Sequence, residues 1–250
     1  MRLRAGLVAL GIVVALAALY FGWRGLDFIM FKNNPTYTIR HVEISTQLAA
    51  SKNRIMELTG ISEGVNIFSF SASGKREELL RNVPNLGEVK ITKKLPDTVE
   101  IVAIDRLPVV RLDATNFASD RKGTVMAIDA SQRKRWSSLP VLMNGNEKIN
   151  ATPGETLTGK NQLALLVVNV YNEMDGISFR VDNIDISGRI YLILQTSDSQ
   201  REIRLVWDEL ETTDDIRMAL RMASEALAQP KAASLIRFDV LLSTLLVYGI

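Results

Sequence analysis

The chain has 250 residues, 47% of them apolar, with 30 basic and 28 acidic side chains and a formal net charge of +2. That length and apolar content suffice for one large core or two small ones, which sets disorder aside, and the interspersed charge leaves no basic face of the kind duplex nucleic acid requires. The sequence has no cysteine and one histidine, His41. Disulfides, thiolate metal sites, a cysteine nucleophile and a multi-histidine metal site are thereby excluded for a single chain, and no metal or cofactor is expected.

Residues 5–23 carry no charge and are almost wholly apolar. A helix of roughly 20 such residues spans a bilayer. Arg2 and Arg4 precede it, and Tyr20, Phe21 and Trp23 cluster at its far end. This pattern predicts a transmembrane helix at 5–23, a cytoplasmic tail at 1–4 and an extracytoplasmic location for everything after about Arg24. The competing reading is a cleaved signal peptide, because Ala15-Leu16-Ala17 satisfies the small-x-small cleavage pattern. The anchor is preferred, since the apolar run continues past that site and a second apolar patch, Phe28-Ile29-Met30-Phe31, follows.

After a polar linker ending near residue 36, alternating β-branched and aromatic residues predict a strand at 37–44. Helical spacing of Ile55, Met56 and Leu58 before Gly60 predicts a helix at 51–59, and a second helix is expected at 75–82, ended by Pro84. Two strands follow, 89–93 and 98–104, on either side of Leu95-Pro96-Asp97. The order strand, helix, helix, strand, strand makes a small α+β unit with its helices on one sheet face.

The later elements are a hairpin within 117–129 with Gly123 between its extended pieces, a helix within 157–174 and strands at 181–186, 190–195 and 202–206. A helix at 210–228 is expected to start near Thr212 or Thr213 and stop before Pro230. Extended segments at 235–242 and 245–248 complete the pattern. Glu209, Glu211, Asp214 and Asp215 suit the start of that last helix through its dipole.

Several words in the first unit carry a family resemblance. They are Tyr37-x-Ile39-x-x-Val42-x-Ile44, Gly64-x-Asn66-Ile67-Phe68, Leu79-Leu80 before Val83-Pro84, Val89-x-Ile91, Leu95-Pro96-Asp97-Thr98-Val99-x-Ile101 and Asp105-Arg106-x-Pro108-Val109. In this order behind one amino-terminal anchor, the chain resembles the bacterial cell-division family FtsQ/DivIB. The resemblance implies a POTRA domain at 37–111 and an FtsQ-type mixed α/β domain at 112–250 ending in a β-hairpin. Its implied role is that of a bitopic connector at the division septum of the bacterial inner membrane, with no catalysis. The partners it implies are FtsB/DivIC-like and FtsL-like bitopic proteins, together with FtsK-, FtsW- and FtsI-like proteins.

The physical reason to look for a partner lies at residues 240–250, which carry no charge and no proline. An edge strand normally needs such protection, and one without it invites a partner strand. The partner-binding residues expected here are Phe238, Val240, Leu245, Leu246, Val247 and Tyr248. Leu245, Val247 and Gly249 should face one side of the sheet, and Leu246, Tyr248 and Ile250 the other. A buried core strand is the competing reading. The resemblance has one departure here, Arg237-Phe238-Asp239 replacing the family's aspartate-leucine-arginine-tyrosine, and the turn lacks glycine or proline.

A strand edge of the POTRA unit is a second expected contact surface. Its motif residues are explained first by folding: Gly64-x-Asn66 and Pro96-Asp97 suit turns, and the alternating apolar residues fill a core. Arg133-Lys134-Arg135 before Trp136 reads as a solvated loop that could meet anionic lipid or cell-wall polymer. Two rival functions remain open. One is a different POTRA protein of secretion or outer-membrane assembly; the other is a cell-wall hydrolase using paired carboxylates such as Asp182 and Asp185.

Overall fold

The computed structural model describes residues 14, 16–21, 28–32, 34–46, 52–113, 115–129, 132–197, 201–244 and 246–249. Most of the predicted membrane segment and the whole 1–4 tail lie outside that set. Val14 and residues 16–21 are helical with exposed side chains. Among the described residues no helix is long and apolar enough to cross a membrane.

The chain divides into two compact units at Asp105/Arg106. In the first, β1 (His41–Thr46), α1 (Lys52–Thr59), α2 (Ala72–Asn82), β2 (Leu86–Lys94) and β3 (Thr98–Asp105) follow the expected order. The sheet runs β1-β3-β2, with β1 parallel and β2 antiparallel to the central strand. Alternation sends Val99, Ile101 and Ala103 of β3 inward, where they meet Ile39, Ile44, Ile55, Ile61, Ile67, Leu79, Leu86 and Val89 in one core. Apolar residues spaced at the two periods, 2.0 in strands and 3.6 in helices, thus converge on a single layer between sheet and helices.

The quoted motif words resolve into turns. Gly64 takes φ +87°, a conformation that costs a side chain dearly, and Asn66 Oδ1 accepts the Phe68 amide at 2.8 Å in an Asx turn. Asp97 offers its carbonyl to the amides of Arg40 at 2.8 Å and His41 at 3.3 Å, tying the β2–β3 turn to the start of β1. Ser71 caps α2 by accepting the Gly74 amide at 3.2 Å. His41 itself is exposed on β1, opposite Thr98.

The second unit is built on one nine-stranded mixed sheet, ordered β12-β11-β10-β9-β8-β7-β4-β5-β6. Its strands are β4 (Pro108–Leu112), β5 (Phe117–Asp120), β6 (Val125–Ala127), β7 (Val141–Met143), β8 (Val181–Asp185), β9 (Tyr191–Thr196), β10 (Glu202–Val206), β11 (Arg237–Leu241) and β12 (Leu246–Gly249). Two helices complete it, α3 (Lys160–Glu173) between β7 and β8 and α4 (Thr213–Leu227) between β10 and β11.

The expected domain boundary at 111/112 differs from the observed division because of β4. Pro108–Leu112 pairs antiparallel with β5 and parallel with β7, so it belongs wholly to the second sheet. Arg106, just before it, forms an ion pair with Asp120 at the end of β5, the two side chains being only 15% and 11% exposed. Asp120 Oδ1 also accepts the amides of Lys122 at 3.0 Å and Thr124 at 2.8 Å, closing the β5–β6 hairpin around Gly123.

β7 to β8 and β10 to β11 are both parallel steps with a helical crossover, and they advance across the sheet in the same direction. β7 and β10 also point the same way. The right-handed preference for such crossovers then requires α3 and α4 on the same face, and the two helices do pack against each other. Their apolar sides, including Leu165, Val168, Ile216 and Leu220, meet Leu142, Ile184, Leu194, Leu205 and Val240 in the main core. Thr212 and Asp215 form a capping box at the start of α4, and Ser224 on its last turn accepts hydrogen bonds from the Ser178 amide at 2.8 Å and the Ser178 hydroxyl at 2.9 Å.

Candidate partner interface

The terminal hairpin forms as expected. β11 and β12 pair antiparallel through Phe238/Gly249, Asp239/Tyr248, Val240/Val247 and Leu241/Leu246. β12 is the end of the sheet, and among the described residues no strand pairs with its outer rim. Residues 246–249 contain neither a charge nor a proline. The edges of the first unit's sheet differ: β1 carries Glu43, and β2 carries Glu88, Lys90, Lys93 and Lys94. Charges on an edge oppose indiscriminate pairing, so β12 is the rim chemically suited to accept a strand.

The six residues singled out in sequence fall into distinct places. Phe238 and Val240 are each 1% exposed, and the backbone of β11 is used on both sides, by β10 and by β12. They back the edge from inside and present no surface of their own. Val247 is partly buried against the main core. Leu246 and Tyr248 are placed on β12 by their backbone, whereas Leu245 lies outside the described residues, as does Ile250. The core-strand alternative therefore describes β11, and β12 is the edge.

Arg237-Phe238-Asp239, the departure from the family's pattern, follows strand alternation. Phe238 enters the core, while Arg237 and Asp239 stand on the other face beside Glu202 and Arg204 of β10. There Arg204 lies 3.1 Å from Glu202 and 3.9 Å from Asp239, and Arg237 lies 3.5 Å from Glu202. The Arg204–Asp239 and Arg237–Glu202 pairs join neighbouring strands and are mildly favourable, on side chains that are only partly exposed. On the helix side, Met222 and Ala226 of α4, Leu235, Phe238 and Val247 line a cleft of about 290 Å³ against the hairpin.

A residue assigned in sequence to the α4 dipole holds this site. Glu209 lies in the short 3₁₀ turn Trp207–Glu209, before the helix. Its carboxylate accepts the amides of Leu242 at 2.6 Å and Ser243 at 3.1 Å, the two residues that open the β11–β12 turn. This contact replaces the glycine or proline that the turn lacks. Burial pushes the Glu209 carboxyl up, but hydrogen bonds from the Ser243 hydroxyl and the two amides outweigh it and hold the group below its ordinary value.

The direction of that shift sets a pH dependence. A carboxyl depressed in the folded state stabilises fully above its unfolded pKa of about 4.3, and the contribution is lost as pH falls through the lower folded value. Glu209→Ala at neutral pH is expected to speed amide hydrogen exchange over 246–249 by about 10- to 100-fold, the worth of charge-assisted bonds at ~1.5–3 kcal/mol. Unchanged exchange would show that the turn holds itself.

The remaining candidates are structural or solvated. Asp185 Oδ1 accepts the amides of Gly145 at 3.0 Å and Ser187 at 2.9 Å, and Asp182 Oδ1 bonds the Ser197 hydroxyl at 2.6 Å. Each carboxylate thus holds a different turn, and the two do not face a common centre. Arg133 donates to Asn116 Oδ1 at 2.7 Å, and the Arg135 guanidinium lies 4.6 Å from the Trp136 ring centroid, so the basic triplet is an exposed loop partly laid on its own surroundings.

Comparison with known proteins agrees with the first unit's fold. Residues 37–102 match the family model of the POTRA domain, FtsQ-type. The chain is similar to the Cell division protein DivIB of Clostridium botulinum, 28% identical over 138 residues that cover 54% of this chain and 52% of that protein. It is also similar to the protein of the same description from Clostridium acetobutylicum, 21% identical over 156 residues, 61% of this chain and 59% of that one. The chain spans between 52% and 59% of the length of these relatives. With the strand and helix order, the motif words and these matches in agreement, residues 37–102 are an FtsQ-type POTRA domain, and the chain is similar to cell-division proteins described as DivIB.

Proposed function

We propose that this chain is a bitopic connector of the bacterial cell-division machinery, which captures another polypeptide by adding its extended segment to the outer rim of β12. The observation that carries the reading is the contrast between edges: β12 is apolar, uncharged and unpaired among the described residues, whereas the first unit's edges bear charges. Main-chain hydrogen bonds along the rim supply affinity, and side chains of the added strand gain specificity from the cleft beside Val247 and Met222.

On this reading residues 5–23 anchor the chain in the inner membrane with its amino terminus in the cytoplasm, and both units stand outside at the septum. The captured segment belongs to an FtsB/DivIC-like bitopic protein, with an FtsL-like protein beside it. Through this pair the connector holds FtsW- and FtsI-like peptidoglycan synthases in place, and an FtsK-like protein acts in its recruitment. The chain performs no chemistry of its own, in keeping with the structural employment of Asp182 and Asp185.

The test is capture of an FtsB-like partner by variants of β12. Leu246→Lys and Tyr248→Lys are expected to weaken capture by at least about 30-fold, the scale of losing a ~2 kcal/mol hot spot. The denaturation midpoint of the second unit should stay at its original value. Undiminished copurification with either variant would remove the rim from consideration.

A further inference from the structure

The segment Phe28–Lys32 is a single π-helical turn fastened to the first unit by rings and by two asparagines. Phe31 stacks on Tyr37 at 5.9 Å and meets Phe68 edge-on at 5.4 Å, while Tyr37 and Phe68 form a T-shaped pair at 5.0 Å. Asn66 donates from Nδ2 to the Phe31 carbonyl at 2.9 Å, and Asn34 donates to that of Met30 at 3.1 Å. Asn34 also caps the 3₁₀ turn Pro35–Tyr37 by accepting the Thr36 amide at 3.0 Å. The turn is thereby fixed to the same Gly64-x-Asn66-Ile67-Phe68 word that closes the first unit's core.

This fastening leaves apolar surface outward. Met30 is 56% exposed and Phe31 37% exposed, and Lys32 follows them. Water alone gives no reason to display a thioether and a phenyl ring beside each other on a turn held this firmly. A bilayer interface does, because aromatic rings and lysine stems are at home in the headgroup layer, with apolar bodies inward and charges toward water.

Position supports the same occupant. Residues 24–27 separate Trp23, at the end of the apolar run, from Phe28. Even a fully extended chain covers no more than about 18 Å over that step. Two layers of headgroups account for the difference between a hydrocarbon core of about 30 Å and a full bilayer of about 40–45 Å. A turn tethered so closely to the hydrocarbon is confined to the neighbourhood of the surface.

We propose that the Phe28–Lys32 turn is a second, interfacial membrane contact, with Met30 and Phe31 seated in the phospholipid headgroup layer and the Phe31–Tyr37–Phe68 ring cluster coupling that contact to the first unit. The inference rests on the reading of residues 5–23 as a membrane anchor. It makes the POTRA unit a body seated on the lipid surface by its own side chains, in addition to the tether.

Because the chain has no cysteine, single cysteines carrying a nitroxide can be introduced without background. The full chain is placed in nanodiscs of phosphatidylglycerol and phosphatidylethanolamine, with a label at Met30→Cys, at Val14→Cys or at the exposed β1 residue Ser45→Cys. Collision with oxygen is compared with collision with a water-soluble nickel chelate. The oxygen-to-nickel ratio at positions 14 and 30 should exceed that at position 45 by about tenfold. A high ratio at 14 with a ratio at 30 equal to that at 45 overturns the interfacial contact and leaves the anchor standing. A water-like ratio at 14 removes the anchor and the contact together.

Discussion

Replacing Asp120 by alanine is expected to lower the stability of the second unit by about 3–5 kcal/mol, the cost of breaking a buried ion pair from one side. Arg106 and Asp120 are both largely withdrawn from water, so the guanidinium left behind loses a charged partner that solvent replaces poorly. The same carboxylate accepts the amides of Lys122 and Thr124, so the β5–β6 hairpin loses its internal brace as well. Asp120→Asn keeps the shape and one acceptor and should fall between the two. Trp136 and Trp207 both belong to the second unit, which makes tryptophan fluorescence in urea a suitable readout. An unmoved midpoint for Asp120→Ala would show that water already screens the pair.

Phe238→Ala is expected to cost a similar ~3–5 kcal/mol, through the lost burial of the ring and the cavity left beneath the last hairpin. This distinguishes two ways of abolishing partner capture. A residue that touches the partner leaves the midpoint unchanged when it is altered, as expected of Leu246 and Tyr248. Phe238 is 1% exposed, beside Met222 and Ala226 of α4, so its loss should lower the midpoint and weaken capture together. Val240→Ala should follow the same pattern more mildly, because valine vacates less volume. Loss of capture by Phe238→Ala at an unchanged midpoint would return the ring to the contact surface.

The sequence was most informative where function follows from local chemistry. The helix from Thr213 to Leu227 was legible because Thr212 and Asp215 make a capping box within one turn and Pro230 follows its end. The first unit was legible because two short-range periods and two Asx- or glycine-type turns agree with one another. The boundary was read at 111/112 because Asp105-Arg106-x-Pro108-Val109 stands among the family words of the first unit, whereas the chain divides at Asp105/Arg106. The partners of β4 decide the matter, β5 in the hairpin that follows directly and β7 farther along the chain.

The position of the terminal edge was legible in part for the same reason. An uncharged edge can be read from composition, and β12 proved to be that edge. The inward role of Phe238 and Val240 depends on which neighbours flank β11. Glu209 was invisible as a clamp, since its hydrogen-bond partners lie 33 and 34 residues further on. Its acidic neighbours before α4 offered a sufficient local explanation, one that holds for Asp214 and Asp215. A turn of Leu242, Ser243 and Thr244 without glycine or proline was the single available hint that an outside group must hold it.

The two rims of the large sheet are unequal. At β6 the backbone is already occupied: Val125 donates to Glu155, Gly154 donates to Val125, and Thr124 bridges Thr156. Strand pairing between copies therefore lacks the second open margin that head-to-tail growth would need, so this sheet does not seed a filament through its two ends. Any association along β12 terminates after a single step, either with one foreign segment or with the same rim of one other copy.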